Sequence, residues 1–548
     1  MKILTFTIIF WSFEWKVECG LYESDSEVIS LNATTFTDAI TSRPHAWIVE
    51  FYASWCGHCQ EFAQPYKQFS NDIAFWGDIL RVGAIDCADP ANEDTCSKYE
   101  VKGYPTVKYF PPYATEQDLG ILRESYEKSV ASLKYDSIDF IESVPSFNNS
   151  LWPVFQPITE YNELTDWSQV SEDRELFIIF EDESSYAGRE VLMDIRQAFQ
   201  GAENVARIVI SENSTSALKL EISEFPALGF IAEASNELNV LKQGISADEI
   251  ESLIYDHYNP GSVHPTRITG SVINPFQKDK QDLTKYSFDD NKNKLTVSLA
   301  DLEKTVVYAL LHEVPMKGEI SGERFIALKD FVQILVDFFP QTSVLYPILE
   351  QLTFLQESKV LENLRTLVGS WDGFYERASW KSCKGSEPQF RGYPCGQWML
   401  WHSLTVAQYL EDWGSPDLVL RAMLQYIKHF FSCTECSRHF VNMTADGNEF
   451  NQLATYQDAI IYLWEKHNSV NERLKNQATE DPHFSKEVFP SIESCPLCYN
   501  KNGSFSLSDV RTFLVNMYGD LNVENPTSSG VNLYFRNQLL LWFMYWIL

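Results

Sequence analysis

The chain has 548 residues, 45% of them apolar, and a formal net charge of −33. That length sets a prior of three or four domains, and the composition is globular rather than low-complexity. The acidic balance excludes a nucleic-acid-binding face, which must be basic, and fits a soluble, self-repelling secreted protein. Residues 1–19 read as a signal peptide. One lysine precedes an apolar run from Ile3 to about Phe13, too short to cross a bilayer. A cut after Cys19 would remove the odd one of the 11 cysteines and leave the rest to pair, as an oxidising compartment favours. N-x-[ST] sequons at Asn32, Asn148, Asn213, Asn442 and Asn502 agree with secretory routing.

Residues 25–150 read as an α/β unit. The buried strand WIVEFY is followed by WCGHC, which opens a helix from about Gly57 to Ile73 through Pro65. ILRVGAID is a second strand, ANEDTCSKYEV a short helix and PTVKYF a third strand. A C-x-x-C between the first strand and its helix is the thioredoxin-like redox arrangement. Cys56 is the expected exposed attacker, activated by the helix N-terminus, and Cys59 the resolving thiol. His58 between them favours the dithiol and an oxidising poise. Pro105 is the cis-proline candidate facing this pair. Cys87 and Cys96 read as a local structural staple.

Residues 155–260 repeat the pattern without a dithiol. ELFIIF, VARIVI and FPALGFIA are strands, with helices over SYAGREVLMDIRQAFQ and STSALKLEI. KYEVKGYPTV (98–107) aligns with KLEISEFPAL (219–228), placing Pro226 where Pro105 stands, so a duplication is expected. Residues 261–300 are a polar linker and a candidate hinge. Residues 301–370 turn helical and read as a spacer. Residues 371–500 continue as helices rich in Trp, His and Cys. Residues 501–548 read as a stalk and a short apolar tail. That tail is too short to span as a helix. Ser528, Ser529 and Gly530 before it make a short GPI-type signal, against an interfacial anchor or a truncated span.

The helical region holds a second redox motif, Cys433 and Cys436 in FFSCTECSRHF, with His439 three residues beyond Cys436 on one face. Trp398 and His402 stand at i and i+4 upstream. Trp464, His467 or Asn468, and Asn471 share a face downstream. Single Trp and His residues on helix faces are more often core than ligand. Grouped beside a C-x-x-C, they suit a planar, two-electron cofactor such as a flavin. The metal alternative is a four-cysteine zinc site from Cys433, Cys436, Cys495 and Cys498. The long separation and the oxidising compartment disfavour it, and no metal is expected.

Taken together, WCGHC, the dithiol-free repeat, the spacer, FRGYPCGQWMLWH, CTEC-x-x-H and LWEKHNSVN resemble the quiescin sulfhydryl oxidases, which are thioredoxin–Erv fusions. The resemblance covers about residues 25–500. It implies a multidomain α/β plus all-α fold: two thioredoxin-like domains, a pseudo-Erv helical spacer and an Erv-like helical domain that binds FAD. By motif match the FAD contacts would be Arg391, Trp398, His402, Glu435 and His439, with Trp464, Glu465, Lys466, His467, Asn468, Ser469, Val470, Asn471 and Lys486. Phe489 stands where that family often has Trp. Cys433 would be the interchange cysteine and Cys436 the flavin-facing one. Cys383/Cys395 and Cys495/Cys498 match the family's additional pairs and are taken as structural disulfides.

The implied activity is a thiol oxidase. Electrons from reduced client proteins would enter at Cys56/Cys59, pass to Cys433/Cys436 and FAD, and leave on oxygen as hydrogen peroxide. The implied setting is the Golgi or the extracellular space, as a monomer, with membrane association only through the tail. The rival readings are a disulfide-isomerase-like redox chaperone without oxidase turnover and a non-catalytic secreted scaffold.

Overall fold

In a computed structural model of the chain, the described residues are 20–22, 26–125, 127–144, 152–158, 175–198, 204–210, 220–232, 238–261, 297–341, 343–371, 379–477 and 479–519. The signal segment with Cys19, Asn148, Asn213, most of the helix read over 214–222, nearly all of the linker and the tail after 519 lie outside them.

Strands β1 (Ile29–Leu31), β2 (Ala46–Tyr52), β3 (Leu80–Asp86), β4 (Thr106–Phe110) and β5 (Ile121–Leu122) form one sheet in the order β1-β3-β2-β4-β5. β2 lies at its centre, parallel to β3 and antiparallel to β4. Every residue of β2 is buried, which is why it reads as a continuous apolar run rather than an alternating one. Helices α1 (Phe36–Ile40), α2 (Gly57–Asp72), α3 (Glu93–Lys98) and α4 (Val130–Ser143) surround the sheet, and α2 continues through Pro65.

A second sheet, in the order β7-β6-β8-β9, repeats the scheme with β6 (Leu176–Glu181), β7 (Val205–Val209), β8 (Ala227–Ile231) and β9 (Leu238–Gln243). β6 is again central, parallel to β7 and antiparallel to β8. The repeat extends to backbone detail. The Tyr104–Pro105 and Phe225–Pro226 bonds are both cis, and Glu100 and Glu221, five residues ahead of each proline, both have positive φ (53° and 55°). β9 and the helix α6 (Ala247–Tyr258), capped by a Ser246–Glu249 capping box, complete the unit beyond the strands read from sequence. Helix α5 (Ala187–Ala198) joins the two units. Asp194 on it accepts from Trp76 Nε1–H at 2.6 Å, and Glu190 pairs with Lys134 at 2.6 Å.

The remainder is helical: α7 (Leu299–Tyr308), α8 (Glu323–Phe338), α9 (Tyr346–Leu352), α10 (Val360–Leu367), α11 (Gly392–Glu411), α12 (Leu418–His429), α13 (Thr434–Met443), α14 (Tyr456–Leu474) and α15 (Leu507–Gly519). After Tyr308, α7 passes into a π-helical turn, Ala309–Glu313. α11 is the hub and packs against α7, α8, α12, α14 and α15. It is buried on every face, as a helix at the centre of a bundle must be. Leu507–Gly519, expected within a stalk, belongs to this body. Val510, Leu514 and Tyr518, at i, i+4 and i+8, bury one face of α15, and Cys498 lies in the same core. Among the described residues no helix is long and apolar enough to cross a membrane.

Candidate active site

Both redox motifs sit at helix starts. Cys56 is the N-cap of α2 and Cys433 the N-cap of α13, each with extended backbone (φ −77°, ψ 116° and φ −72°, ψ 91°). Each first cysteine therefore lies beside unpaired backbone N–H groups and the positive end of a helix dipole. Cys56 and Cys59 are free thiols, whereas Cys433–Cys436 is a disulfide. The two meet: the sulfurs of Cys56, Cys433 and Cys436 all lie within 4.8 Å of one another.

Backbone pairing fixes the encounter. Tyr104, just before the cis-proline, donates its N–H to the Ser432 carbonyl at 2.7 Å. Its own carbonyl accepts from Thr434 N–H at 3.3 Å and from the Thr434 hydroxyl at 3.2 Å. Tyr104 and Cys433 thus form a one-residue parallel bridge, so the 432–434 strand lies on the cis-proline loop like an added strand. Gly103 makes the approach possible. A Cβ there would stand 2.5 Å from Thr434 Cγ2 and 3.2 Å from the Ser432 carbonyl oxygen. Trp55 closes the edge, its ring 5.8 Å from Phe431 and 5.2 Å from Tyr393.

This contact corrects the expectation that Cys56 is exposed. It is completely buried, as is Cys59, because the helical body covers the motif. Burial, then the neighbouring Cys56 and Glu50, pushes the Cys59 thiol well above its ordinary pKa. Glu50 lies beneath the pair, fully buried on β2, and burial raises its carboxyl to about 8. Tyr22 donates its hydroxyl to Glu50 Oε2, and Oε1 has no hydrogen-bond partner. His58 Nδ1 lies 2.9 Å from Glu61 Oε2.

The residues matched to a flavin site fall into three groups. In the first, Trp398 and His467 stack face to face, with centroids 4.1 Å apart and planes 2° from parallel. His402 Nε2 lies 3.1 Å from His467 Nδ1, and Tyr518 stacks on His402 at 4.8 Å. Burial lowers His402 to about 3 and His467 well below its usual value, so both imidazoles are neutral near pH 7. Trp464 Nε1–H and Asn468 Nδ2–H both donate to the Phe489 carbonyl, at 2.5 and 2.7 Å, and Phe489 N–H returns a bond to Asn468 at 2.8 Å. Asn471 donates to the Glu487 carbonyl at 3.4 Å. Lys466 turns to Glu449 at 2.7 Å, and Ser469 donates to the Glu465 carbonyl of its own helix at 2.9 Å. Val470 is exposed.

The second group is cationic. Arg391 and Lys486 are each lowered chiefly by desolvation, and Lys486 is lowered further by Arg391 and Arg473. Arg391 Nε is buried without a partner, its guanidinium stands 4.2 Å over the Phe484 ring, and its φ is 63°. Half-buried cations held together, one of them with an unanswered donor and a left-handed backbone, carry a cost that Asp301, Glu480 and Asp481 offset in part and that a ligand of opposite charge would relieve further. A dinucleotide needs flat stacking partners and a cationic place for its diphosphate, and these residues fit both needs. The third group, Glu435 and His439, turns elsewhere. Their ligand atoms lie within 4.8 Å of His58, His439 stacks on His58 at 5.6 Å, and Glu435 pairs with Arg438.

The other three cysteine pairs are disulfides: Cys87–Cys96, Cys383–Cys395 and Cys495–Cys498. Sequence reasoning missed Glu50, Tyr104, Tyr518 and Phe484. The β2 run signalled Glu50, as a lone acid inside a fully apolar strand.

Four family models match the chain. Thioredoxin matches residues 27–128 and the QSOX Trx-like domain matches residues 151–255. The FAD-dependent sulfhydryl oxidase model matches residues 293–386, and the Erv1/Alr family matches residues 395–490. Rat sulfhydryl oxidase 1 is 32% identical over 538 residues, which covers 93% of this chain and 69% of that one. The chain belongs to the sulfhydryl oxidase family.

Chicken sulfhydryl oxidase 1 is 33% identical over 505 residues, covering 88% of this chain and 65% of that protein. This sulfhydryl oxidase therefore spans about two thirds of the length of the curated relatives it matches. Among solved structures, the sulfhydryl oxidase fragment of human QSOX1 is 30% identical, with 41% of this chain and 95% of that chain covered and a TM-score of 0.38. The enzyme is a flavin-linked thiol oxidase with FAD as cofactor, protein thiols as substrates and oxygen as acceptor. The alternative of an isomerase-like chaperone is not favoured.

Proposed function

We propose that the two distant C-x-x-C motifs are successive stations of one electron relay. The single observation that carries this is the meeting of the Cys56, Cys433 and Cys436 sulfurs within 4.8 Å, held by the Tyr104–Cys433 bridge. A client thiolate attacks the oxidised Cys56–Cys59 pair, and a second client thiol completes a client disulfide and leaves Cys56 and Cys59 as thiols. The Cys56 thiolate then attacks Cys433 Sγ. The Cys433–Cys436 bond breaks, Cys436 leaves as a thiolate and a Cys56–Cys433 disulfide forms. The ionised fraction of Glu50 accepts the Cys59 proton, and the Cys59 thiolate attacks Cys56, releasing Cys433 with the electron pair. Trp398, His402 and His467 would hold the flavin rings, Arg391 and Lys486 the diphosphate, and Trp464 to Asn471 the wall of the site. Bound FAD supplies the two-electron acceptor that oxygen reoxidises. The net reaction is two protein thiols plus oxygen to a disulfide plus hydrogen peroxide.

The domain limits proposed for this enzyme are 25–150, 155–260, 301–370 and 371–500, with the last extended to 519 to include α15. A secretory location is supported by four formed disulfides. A monomer is supported by α7 and α8 packing on α11, a face otherwise open to a second copy; light scattering during gel filtration at micromolar concentration tests it.

Cys433→Ser tests the relay. The variant should let Cys56–Cys59 accept electrons from a reduced protein once, with no sustained peroxide release. Continued peroxide production from protein thiols would refute the assignment.

A further inference from the structure

Glu313 is a fully buried carboxylate that the thiol chemistry does not use. It lies in the spacer, on the π-helical turn Ala309–Glu313, and π turns inside α-helices recur at functional sites because they reset side-chain direction. Both of its oxygens are spent on one residue. Oε2 accepts from Ser432 N–H at 2.7 Å and Oε1 from the Ser432 hydroxyl. Ser432 immediately precedes Cys433, and its carbonyl receives the Tyr104 N–H.

The same short segment also grips the thioredoxin-like unit. Tyr308 Oη accepts from Trp55 Nε1–H at 2.9 Å, next to Cys56. Lys317 Nζ donates to the Lys102 carbonyl at 2.6 Å, two residues before Tyr104. His312 Nδ1 lies 3.0 Å from Glu93 Oε2. The stretch Tyr308–Lys317, without cysteines, thus touches both chain segments whose sulfurs exchange, next to Cys56 and next to Cys433.

We propose that Glu313 is a positioning residue for the exchange between the two C-x-x-C motifs: it holds Ser432 and so sets the strand that carries Cys433 in register for attack by Cys56. Tyr308 and Lys317, which flank that turn, align the other partner against the same stretch. Burial raises the Glu313 carboxyl to about 7, with the Ser432 bonds and Lys317 opposing that rise. The Ser432 hydrogen bonds favour the carboxylate form against burial. This inference rests on the relay proposed above.

The test uses the full-length, FAD-loaded chain carrying Cys59→Ser and Cys436→Ser, in which only Cys56 and Cys433 can pair across the interface. It is equilibrated in glutathione buffers, and the Cys56–Cys433 disulfide is quantified by peptide mapping. Glu313→Ala should lower the effective concentration of the two thiols by about tenfold or more, since small misplacements are costly to oriented encounters. Glu313→Gln should recover most of it, because the amide oxygen still accepts from Ser432 N–H and the amide N–H can donate to the hydroxyl. The Cys433–Cys436 potential, measured in a Cys56→Ser, Cys59→Ser chain, should be the same with and without Glu313→Ala.

An unchanged Cys56–Cys433 equilibrium in Glu313→Ala would overturn the proposal. So would an equal shift in the Cys433–Cys436 potential, which would make Glu313 a structural support of that disulfide alone. If Glu313→Ala fails to retain its yellow flavin, Ser432→Ala carries the same comparison from the other end of the bond. Failure of the parent double variant to form any Cys56–Cys433 disulfide would instead sink the relay.

Discussion

The two thioredoxin-like repeats share a sheet order, a cis-proline and a left-handed glutamate ahead of it, yet only the first carries the dithiol of the proposed relay. Aligning them on Pro105 and Pro226 shows what separates them. Val107 pairs with Glu50, and its counterpart Leu228 pairs with Ile179. The buried acid beneath the dithiol is therefore an isoleucine in the second repeat. The dithiol itself has no counterpart, and α5 begins at Ala187 after Ser184, Ser185 and Tyr186. Gly103, where the 432–434 strand approaches, corresponds to Glu224. The central strand of the second repeat carries its buried charge as an ion pair, Glu181 with Arg207 at 2.6 Å. Dithiol, proton acceptor and docking glycine are absent together, while the backbone features of the fold persist. These three are thus the parts that the proposed exchange asks for beyond the fold.

Each part can be broken in the first repeat. The largest effect is expected from Cys56→Ser, which removes the attacking sulfur and should cut protein-thiol oxidation by about a thousandfold or more. Oxygen uptake with a reduced protein substrate measures it. Next is Gly103→Ala. The position has ordinary backbone geometry, so the added methyl acts only where it meets Thr434 and Ser432. Turnover of protein thiols should fall roughly 100-fold, the scale of an ångström-level misplacement, while the melting temperature stays unchanged. Gly103→Glu, copying the second repeat, should fall further.

Glu50→Ile should slow the Cys59 step by roughly 10- to 100-fold, as loss of a proton acceptor does, read by rapid mixing of reduced enzyme. It also has a pH signature. The folded carboxyl is raised to about 8 from an ordinary 4.5, so the folded state binds the proton more tightly than the unfolded chain. The favourable contribution is complete below about pH 4.5 and is lost as pH rises to about 8. Relative to the parent, Glu50→Ile should gain stability steadily across that window in urea titrations. The smallest effect on turnover belongs to Cys87→Ser with Cys96→Ser. Opening that staple should cost about 2–3 kcal/mol of stability by loop-closure entropy and leave electron transfer intact.

Much of this was legible in the sequence. Near-continuous apolar runs gave the central strands, WCGHC between strand and helix gave the first redox site, and the register of the two proline segments gave the duplication. The i, i+4 and i+7 faces bearing Trp398, His402, Trp464 and His467 are the sequence signal behind the proposed flavin site. What escaped is contact between distant segments. Glu313 and Ser432 are 119 residues apart, and Trp55 and Tyr308 are 253 apart, and no local period encodes such pairs. Burial of Cys56 comes from a separate domain, so a motif-level reading leaves it exposed. Glu435 and His439 carry the right spacing for one site and face His58 in another. Residues 507–519 were lost in a polar neighbourhood, although their apolar i, i+4, i+8 spacing gave a usable signal.

The central claim is that Cys56 and Cys433 exchange directly. The most direct measurement is a mass-spectrometric search for that one cross-link in the full-length Cys59→Ser, Cys436→Ser chain after mild oxidation. The relay predicts a single dominant disulfide joining the peptides that contain Cys56 and Cys433. Recovery of both cysteines as free thiols, or paired elsewhere, would contradict it.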